Sequence, residues 1–359
     1  MRIVHFAQET RPTDYLQYVR KKVLWIVAGI FLIVVLFIYS ISVGAIEIPP
    51  RDVVDALLGQ ANNQKWATII WEIRLPQALT AIVAGFGLAV AGVAMQSILR
   101  NPLASPFTLG ISSAGAFGAA FAVIILGSGK MHNSVADAVS IGNPYSTTAM
   151  AFFFCLLATA VILLISKMKG ASPEAMVLTG VALTSLFSAA TMVLQYLSSD
   201  TQLAAVVFWT FGDVSRANWQ QLGIMTIVVA AGTIYFIANR WNYNAIDAGD
   251  ETAKGLGVPV EHIRLTGMVV ATLITAVIVA FLGVIGFVGL VCPHMVRRII
   301  GDDQRYLIPG SCVMGAILLL ASDTAARLVL APYVLPVAVL TAFMGAPIFI
   351  YLIMRGYRH

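Results

Sequence analysis

The sequence predicts an all-α polytopic membrane protein of about ten transmembrane helices, and three observations carry that prediction. Of the 359 residues, 59% are apolar and only 11% charged, where soluble domains carry about 25% charged. Ten apolar stretches approach the roughly 20 residues that cross a hydrocarbon core. Positive charge then falls unequally on the two sides those stretches define. The expected spans are 23–46, 75–98, 107–127, 147–167, 174–197, 218–239, 266–285, 287–300, 307–327 and 335–354, the eighth rather short.

Residues 1–22 are a polar N-terminal arm and 23–359 a single transmembrane domain. The arm precedes the first span without a small-residue cleavage site, so no cleavable signal is expected. The second span, LPQALTAIVAGFGLAVAGVAMQ, and the third, LGISSAGAFGAAFAV, are dense in Gly and Ala. Gly85 with Ala89, and Ala114 with Gly118, stand four apart on one helical face, which lets backbones approach closely where lipid supplies no hydrophobic drive. Between these spans SILRNPLASPFT carries Pro102 and Pro106, which break the helix.

In the fifth span Thr184, Ser185, Ser188, Thr191 and Gln195 make a mildly polar stripe, at helical spacing for 184, 188, 191 and 195. Such hydroxyls either line a pathway or bond their own backbone. The polar island Arg240–Arg264 follows the sixth span. It reads as a short helix from Ala245 to Leu256, stopped near Gly255 and Gly257, with a second turn begun at Pro259. A folded polar knuckle between apolar spans suits a socket for a separate motor subunit. Gly92 and Pro102, ten apart, are echoed by Gly283 and Pro293, a faint sign of inverted repeats. Near the end of the ninth span Asp323 and Arg327 are four apart and can pair. Arg74 opens the second span at the same surface, where each arginine is either a headgroup anchor or a docking charge. Trp66, Trp71, Trp209 and Trp219 fit boundary anchors.

With the N-terminus inside, the inner segments hold 16 of the 22 Lys and Arg and the outer ones 6. That bias places both termini in the cytoplasm, and makes the net charge of +5 a topology signal rather than a nucleic-acid one. Cys155, Cys292 and Cys312 lie in apolar spans, and the five histidines are scattered, so no metal set is expected. No catalytic constellation is present either. The nearest match to a phosphate-binding loop, Gly129–Lys130, has Ile124 where the first glycine belongs, so any ATP is hydrolysed on another chain. An ion-coupled secondary transporter is the alternative. It would carry charges in mid-span, and here Asp323 and His294 come closest.

The segments RLPQALTAIVAGFGLAVAGVAMQSILRNPLASPFTLGISSAGAFGA, GFVGLVCPHMVRRIIGDDQRYLIPG and LPVAVLTAFMGAPIFIYLI resemble the FecCD-type permeases. These are membrane subunits of binding-protein-dependent ABC importers for iron-siderophores, haem and cobalamin. The resemblance runs from about Arg74 to the C-terminus. It implies a type II importer fold of ten spans and a homodimer in the inner membrane. It also implies two ATP-binding partner subunits carrying ATP and Mg, and a periplasmic or lipoprotein substrate-binding protein. Residue by residue, the ATPase-coupling motif falls on Gly249, Asp250, Glu251, Ala253, Leu256 and Gly257. The binding-protein arginines fall on Arg74 and Arg327, and the fifth span, with Thr184, Ser188, Thr191 and Gln195, lines the route. Two positions depart from the pattern. Gln77 replaces a second arginine, for which Arg51 or Lys65 could compensate, and Asp213 replaces a serine. Met131 and His132, in an outer loop, read as incidental to haem. Iron-siderophore is the first expectation for the cargo, haem the second and a corrinoid the third.

Overall fold

The computed structural model describes residues 13–44, 46–60, 63–128, 144–331 and 333–354, which form fifteen α-helices and no strand among them. The loop residues Gly129, Lys130, Met131 and His132, like His5 and His359, lie outside the described residues. Helix α1 is Thr13–Ser42, α2 Pro50–Leu57 and α3 Gln64–Ile69; a π-turn, Ile70–Arg74, then leads into α4, Leu75–Ile98. Next come α5 Ile111–Ile124, α6 Pro144–Met168, α7 Pro173–Tyr196, α8 Asp200–Thr210 and α9 Trp219–Ala238. The polar island holds α10 Arg240–Asp247 and α11 Asp250–Gly255. The chain closes with α12 Val260–Leu282, α13 Val288–Ile300, α14 Gln304–Leu328 and α15 Val337–Met354.

All ten expected spans are helical, yet by length and composition only seven described helices can cross a membrane unaided. Helices α5 and α13 have 14 and 13 residues, which at about 1.5 Å per residue reach only ~20 Å. Each starts after irregular backbone that turns within the bundle: Gly110 has φ +77° before α5, and Gly283 and Phe287 have φ +82° and +67° before α13. Helix α1 begins ten residues ahead of the expected span, because no helix breaker stands between Thr13 and Val23. Pro102 sits in a turn whereas Pro293 is inside α13. The echoed prolines therefore do not share a local structure.

Helix α4 is the axis of the bundle. Twenty of its 24 residues are buried, and α14, α12, α13 and α9 pack around it. Small residues allow that enclosure. Gly85 of α4 lies against the backbone of Gly315 in α14, and Gly92 against Gly289 in α13, so close that a β-carbon on Gly85 or Gly92 would overlap a carbonyl. Ala89 touches Gly315 from the same face, and Gly118 of α5 meets the Met150 backbone in α6. The small-residue faces thus do what their spacing suggested: they trade side-chain volume for backbone dispersion contact.

Two ends of the bundle follow from α4. At the Arg74 end lie the C-termini of α1 and α14; at the Ile98 end lie α10, α11 and the start of α14. Helix α1 is peripheral, and long apolar faces of α1 and α7 remain uncovered: Phe31 is 70% exposed and Leu178 71%.

Gly92→Ala is expected to destabilise the protein by about 1–3 kcal/mol, since neither backbone can yield without separating α4 from α13. Gly223→Ala in α9, with open space around it, should leave thermal unfolding in detergent unchanged. Equal melting temperatures for the two variants would contradict this packing account.

Candidate functional site

At the Ile98 end one side chain joins three parts of the chain. Arg264, in the first turns of α12, is 2% exposed. Its Nε donates to the Ile98 carbonyl at 2.9 Å, and Nη1 to the Ala171 carbonyl at 3.1 Å. Nη2 donates to both carboxylate oxygens of Asp250, at 2.9 and 3.0 Å. The planar fork of a guanidinium can serve three such directions at once; an ammonium cannot. Helix α4, the α6–α7 connection and α11 are thereby held on one cation. Arg100 adds a longer ion pair to Asp250 at 3.9 Å.

The expected single helix from Ala245 to Leu256 is two helices, broken at Gly249. That glycine has φ +119°, a conformation strained for any side chain. Pro259 starts the long helix α12 rather than a separate turn. The six motif residues divide by direction. Asp250 and Ala253 face inward, Ala253 being fully buried, whereas Glu251, Leu256 and Gly257 are exposed. Leu256 is 70% exposed at the tip, an apolar knob on a polar surface.

A second polar network fixes α10 to the bundle. Gln304 at the start of α14 donates through Nε2 to Asp247 and to Ser97, both at 2.8 Å, and its amide donates to Asn244 Oδ1 at 2.9 Å. Arg297 bridges Gln96 and Asp302 at 2.9 and 2.8 Å. Burial works against ionisation of Asp303, but hydrogen bonds from the Arg305 side chain and amide and from Asn244 outweigh it and hold that carboxyl below its ordinary range. Two clefts flank the knuckle: one of about 420 Å³ between Glu174, Asp250 and Arg264, the other of about 730 Å³ between Arg100, Asp247 and Arg297. Sequence reading missed Arg264, Asn244, Asp247 and Gln304 as the residues that seat the knuckle. The available signal was an arginine just over a turn past Pro259, at the start of a long and mainly apolar helix.

At the Arg74 end the structure turns the arginines inward. Arg74 is 7% exposed. Its Nη1 donates to the Ile41 and Ser42 carbonyls at 2.6 and 3.0 Å, and its Nη2 to that of Ile46. Arg327 donates to the Ser40 and Val43 carbonyls at 3.1–3.2 Å and to Ser40 Oγ at 2.7 Å. Both therefore satisfy orphan carbonyls at the C-terminus of α1. Arg216 does the same for α8 through the Phe208, Trp209 and Phe211 carbonyls, and burial lowers its pKa. Asp323 pairs with Arg327 at 3.2 Å, as the four-residue spacing indicated.

The two departures from the resemblance acquire structural roles here. Gln77 Nε2 donates to Asp323 at 2.9 Å inside the network. Asp213 caps the turn Val214–Arg216 by accepting from the Ser215 amide and hydroxyl at 2.8 and 2.7 Å. Trp209 is buried, so it is not a boundary anchor; Trp71 and Trp219 are exposed and joined by a bond from Trp219 Nε1 to the Trp71 carbonyl at 3.1 Å.

In α7, Thr184, Ser188, Thr191 and Gln195 lie half-buried on one stripe. Thr184 and Thr191 bond the Gly180 and Phe187 carbonyls of their own helix at 2.8 and 2.7 Å. The stripe borders the open apolar face of α7 that carries Leu178, Leu186 and Val193. Among the described residues no group of three or more His, Cys, Asp or Glu could hold a metal ion.

A protein of Methanocaldococcus jannaschii described as an ABC transporter permease is 51% identical, over 97% of this chain and 99% of its own. The hemin transport system permease protein HmuU of Yersinia pestis is 36% identical, over 91% and 94%. A solved metal-chelate type ABC transporter in an inward-facing conformation superposes with a TM-score of 0.79 at 28% identity, covering 92% of this chain and 98% of that one. The model of the FecCD transport family matches residues 32–355. With ten expected spans found as helices, and this match over nearly the whole chain, the protein belongs to the FecCD transport family of membrane permeases.

Proposed function

We propose that this chain is the membrane half of an ATP-driven importer of metal chelates, working as a homodimer with two ATP-binding subunits that carry ATP and Mg. The observation that carries this reading is the split coupling segment: Asp250 and Ala253 are built into the bundle, while Glu251 and Leu256 stand free for a partner. The charge bias supports a cytoplasmic Ile98 end, with both termini on that side. There a motor subunit pressing on α11 moves Arg264, and with it the end of α4 and the α6–α7 connection that leads into α7. The open apolar face of α7 suits either lipid or the second permease copy, with the stripe Thr184–Gln195 bordering the route between copies.

Cargo reaches the Arg74 end on a separate binding protein. Arg74 and Arg327 shape that face by holding the corner after α1, and Arg51 and Lys65, exposed beside it, offer the free positive charge. Hemin, in the name of one relative, and metal chelates, in that of the matched structure, give the cargo class; iron-siderophore is the first choice within it and a corrinoid the last.

Reconstituted alone in vesicles, the chain should accumulate nothing; uptake of a ferric chelate should require the ATPase, ATP and a binding protein. Accumulation by the lone chain, driven by an ion gradient, would replace this reading with that of a secondary transporter.

Arg264→Ala and Arg264→Lys should both lower uptake about five- to hundred-fold, the span of typical coupling energies of 1–3 kcal/mol. ATP hydrolysis should persist in both variants. Parallel loss of hydrolysis and uptake would instead mean failed assembly, and full uptake by the lysine variant would remove Arg264 from the transmission.

Charge reversal at Arg51 and Lys65 together should slow binding-protein association several-fold, more at low salt than at high, with melting unchanged. Arg327→Glu should lower the melting temperature, because it breaks the α1 corner. Unaltered association kinetics in the double reversal would move the docking seat elsewhere.

A further inference from the structure

Helix α1 is longer than a membrane requires. Its 30 residues rise about 45 Å at 1.5 Å each, against a hydrocarbon core of roughly 30 Å. The apolar run starts at Val23, so residues 13–22 stand in the headgroup zone at the Ile98 end of the bundle. There cations and aromatic rings alternate across three helices. The Lys22 ammonium of α1 lies 4.2 Å from the centre of the Tyr18 ring and 5.1 Å from that of Tyr306 in α14. The Arg305 guanidinium lies 5.5 Å from the Tyr306 ring and 5.0 Å from that of Trp241 in α10; Arg240 stands 6.0 Å from the same indole. All these distances fall within the reach of a cation–π contact. The end of α13 closes the row: a β-carbon on Gly301 would sit 3.4 Å from Tyr18 Oη and 3.7 Å from Lys22 Nζ.

Little of the charge on this ledge is answered by protein. Asp302 is taken by Arg297, and Asp303 by Arg305. Among the described residues Arg20, Lys21, Lys22 and Arg298 pair with no carboxylate. Lys22 is 4% exposed and held between its two rings, whereas Arg20, Lys21 and Arg298 are exposed. Positive charge inside fixes topology whether or not the cations gather. Here they gather at one edge, and the rings hold Lys22 and Arg305 in place, which reduces the ordering an arriving anion must impose. The outer side of α1 adds an apolar part. Arg20, Leu24, Val27, Phe31 and Val35 follow at intervals of four, three, four and four, one stripe of the helix. From Leu24 to Val35 that stripe is open for about 16 Å, with the Arg20 cation at its head. A soluble anion uses the cations alone; a phospholipid uses both parts.

We propose that the first turns of α1, with the ledge of cations and rings beside them, are a seat for one anionic phospholipid of the leaflet at the Ile98 end. Its phosphate is held by Arg20 and Lys21 in the field of Lys22 and Arg298, and its acyl chains lie along the α1 stripe. The seat discriminates by headgroup charge, because a zwitterionic lipid brings its own cation to a place already rich in them. It asks nothing of cargo or motor, so it stands apart from the importer reading.

Native mass spectrometry of the full chain in detergent tests the seat, with phosphatidylglycerol and phosphatidylcholine of identical acyl chains as probes. Phosphatidylglycerol should be retained about ten- to thirty-fold in preference to phosphatidylcholine, at about five-fold for each of the two exposed cations that hold the phosphate. Arg20→Gln combined with Lys21→Gln should reduce that preference to about two-fold or less, with melting in lipid-free detergent unchanged. If the pair together melts early, the single variants decide the matter, each losing about five-fold. Lys254→Gln, which removes an exposed cation on α11 instead, should leave the preference intact. Equal retention of the two lipids by the wild type overturns the proposal. So does a preference that survives loss of both Arg20 and Lys21, or one that falls as far in Lys254→Gln. Inorganic phosphate and glycerophosphoglycerol, which lack acyl chains, should not displace the lipid at equal concentration; displacement by either would mark a site for free phosphate and overturn the lipid assignment.

Discussion

Inside a bilayer no water stands ready to satisfy a polar group, so every carbonyl, amide and charge must find its partner within the protein. That constraint organises this molecule from end to end. It explains why Arg74, Arg216 and Arg327, charges at a surface, bend inward to the carbonyls at the ends of α1 and α8. It explains why Asp323 is answered by both Arg327 and Gln77. It also gives weight to the buried hydroxyls that remain without a partner among the described residues, such as those of Thr80, Thr272 and Ser311.

The same constraint governs how force can pass through the fold. Arg264 is buried and its donors are spread over α4, the α6–α7 connection and α11. Displacing α11 while leaving the other two in place would strand at least one of these bonds in a dry setting, at a cost of several kcal/mol for a charged group. Moving the three together keeps every bond. On the proposed coupling role of α11, rigid-body transmission is the low-energy response of this end of the bundle. The breaks at Gly249 and Pro259 make α11 a separate element rather than an extension of α10 or α12.

Packing supplies the rigid partner to that lever. Helix α4 is enclosed by four neighbours and touches α14 and α13 backbone to backbone through Gly85, Gly92, Gly289 and Gly315. Contacts of this kind cannot slide without overlap. Helices α1 and α7, by contrast, are packed on one side only and keep open apolar faces.

The sequence by itself determined the positions of the ten spans to within a few residues in most cases, the helix break at Pro102 and Pro106, the small-residue faces and the separateness of the polar island. These are local properties: apolar length, residue volume and backbone permissiveness are written in consecutive residues. It also indicated the Asp323–Arg327 pair, since four residues make one helical turn. What it could not supply was the destination of each long side chain. Arg264 meets Ile98 and Ala171 across 166 and 93 positions, and Arg327 meets Ser40 across 287. An arginine reads alike in sequence whether it reaches for a headgroup, a partner protein or a helix end; only the folded chain shows which carbonyls it meets.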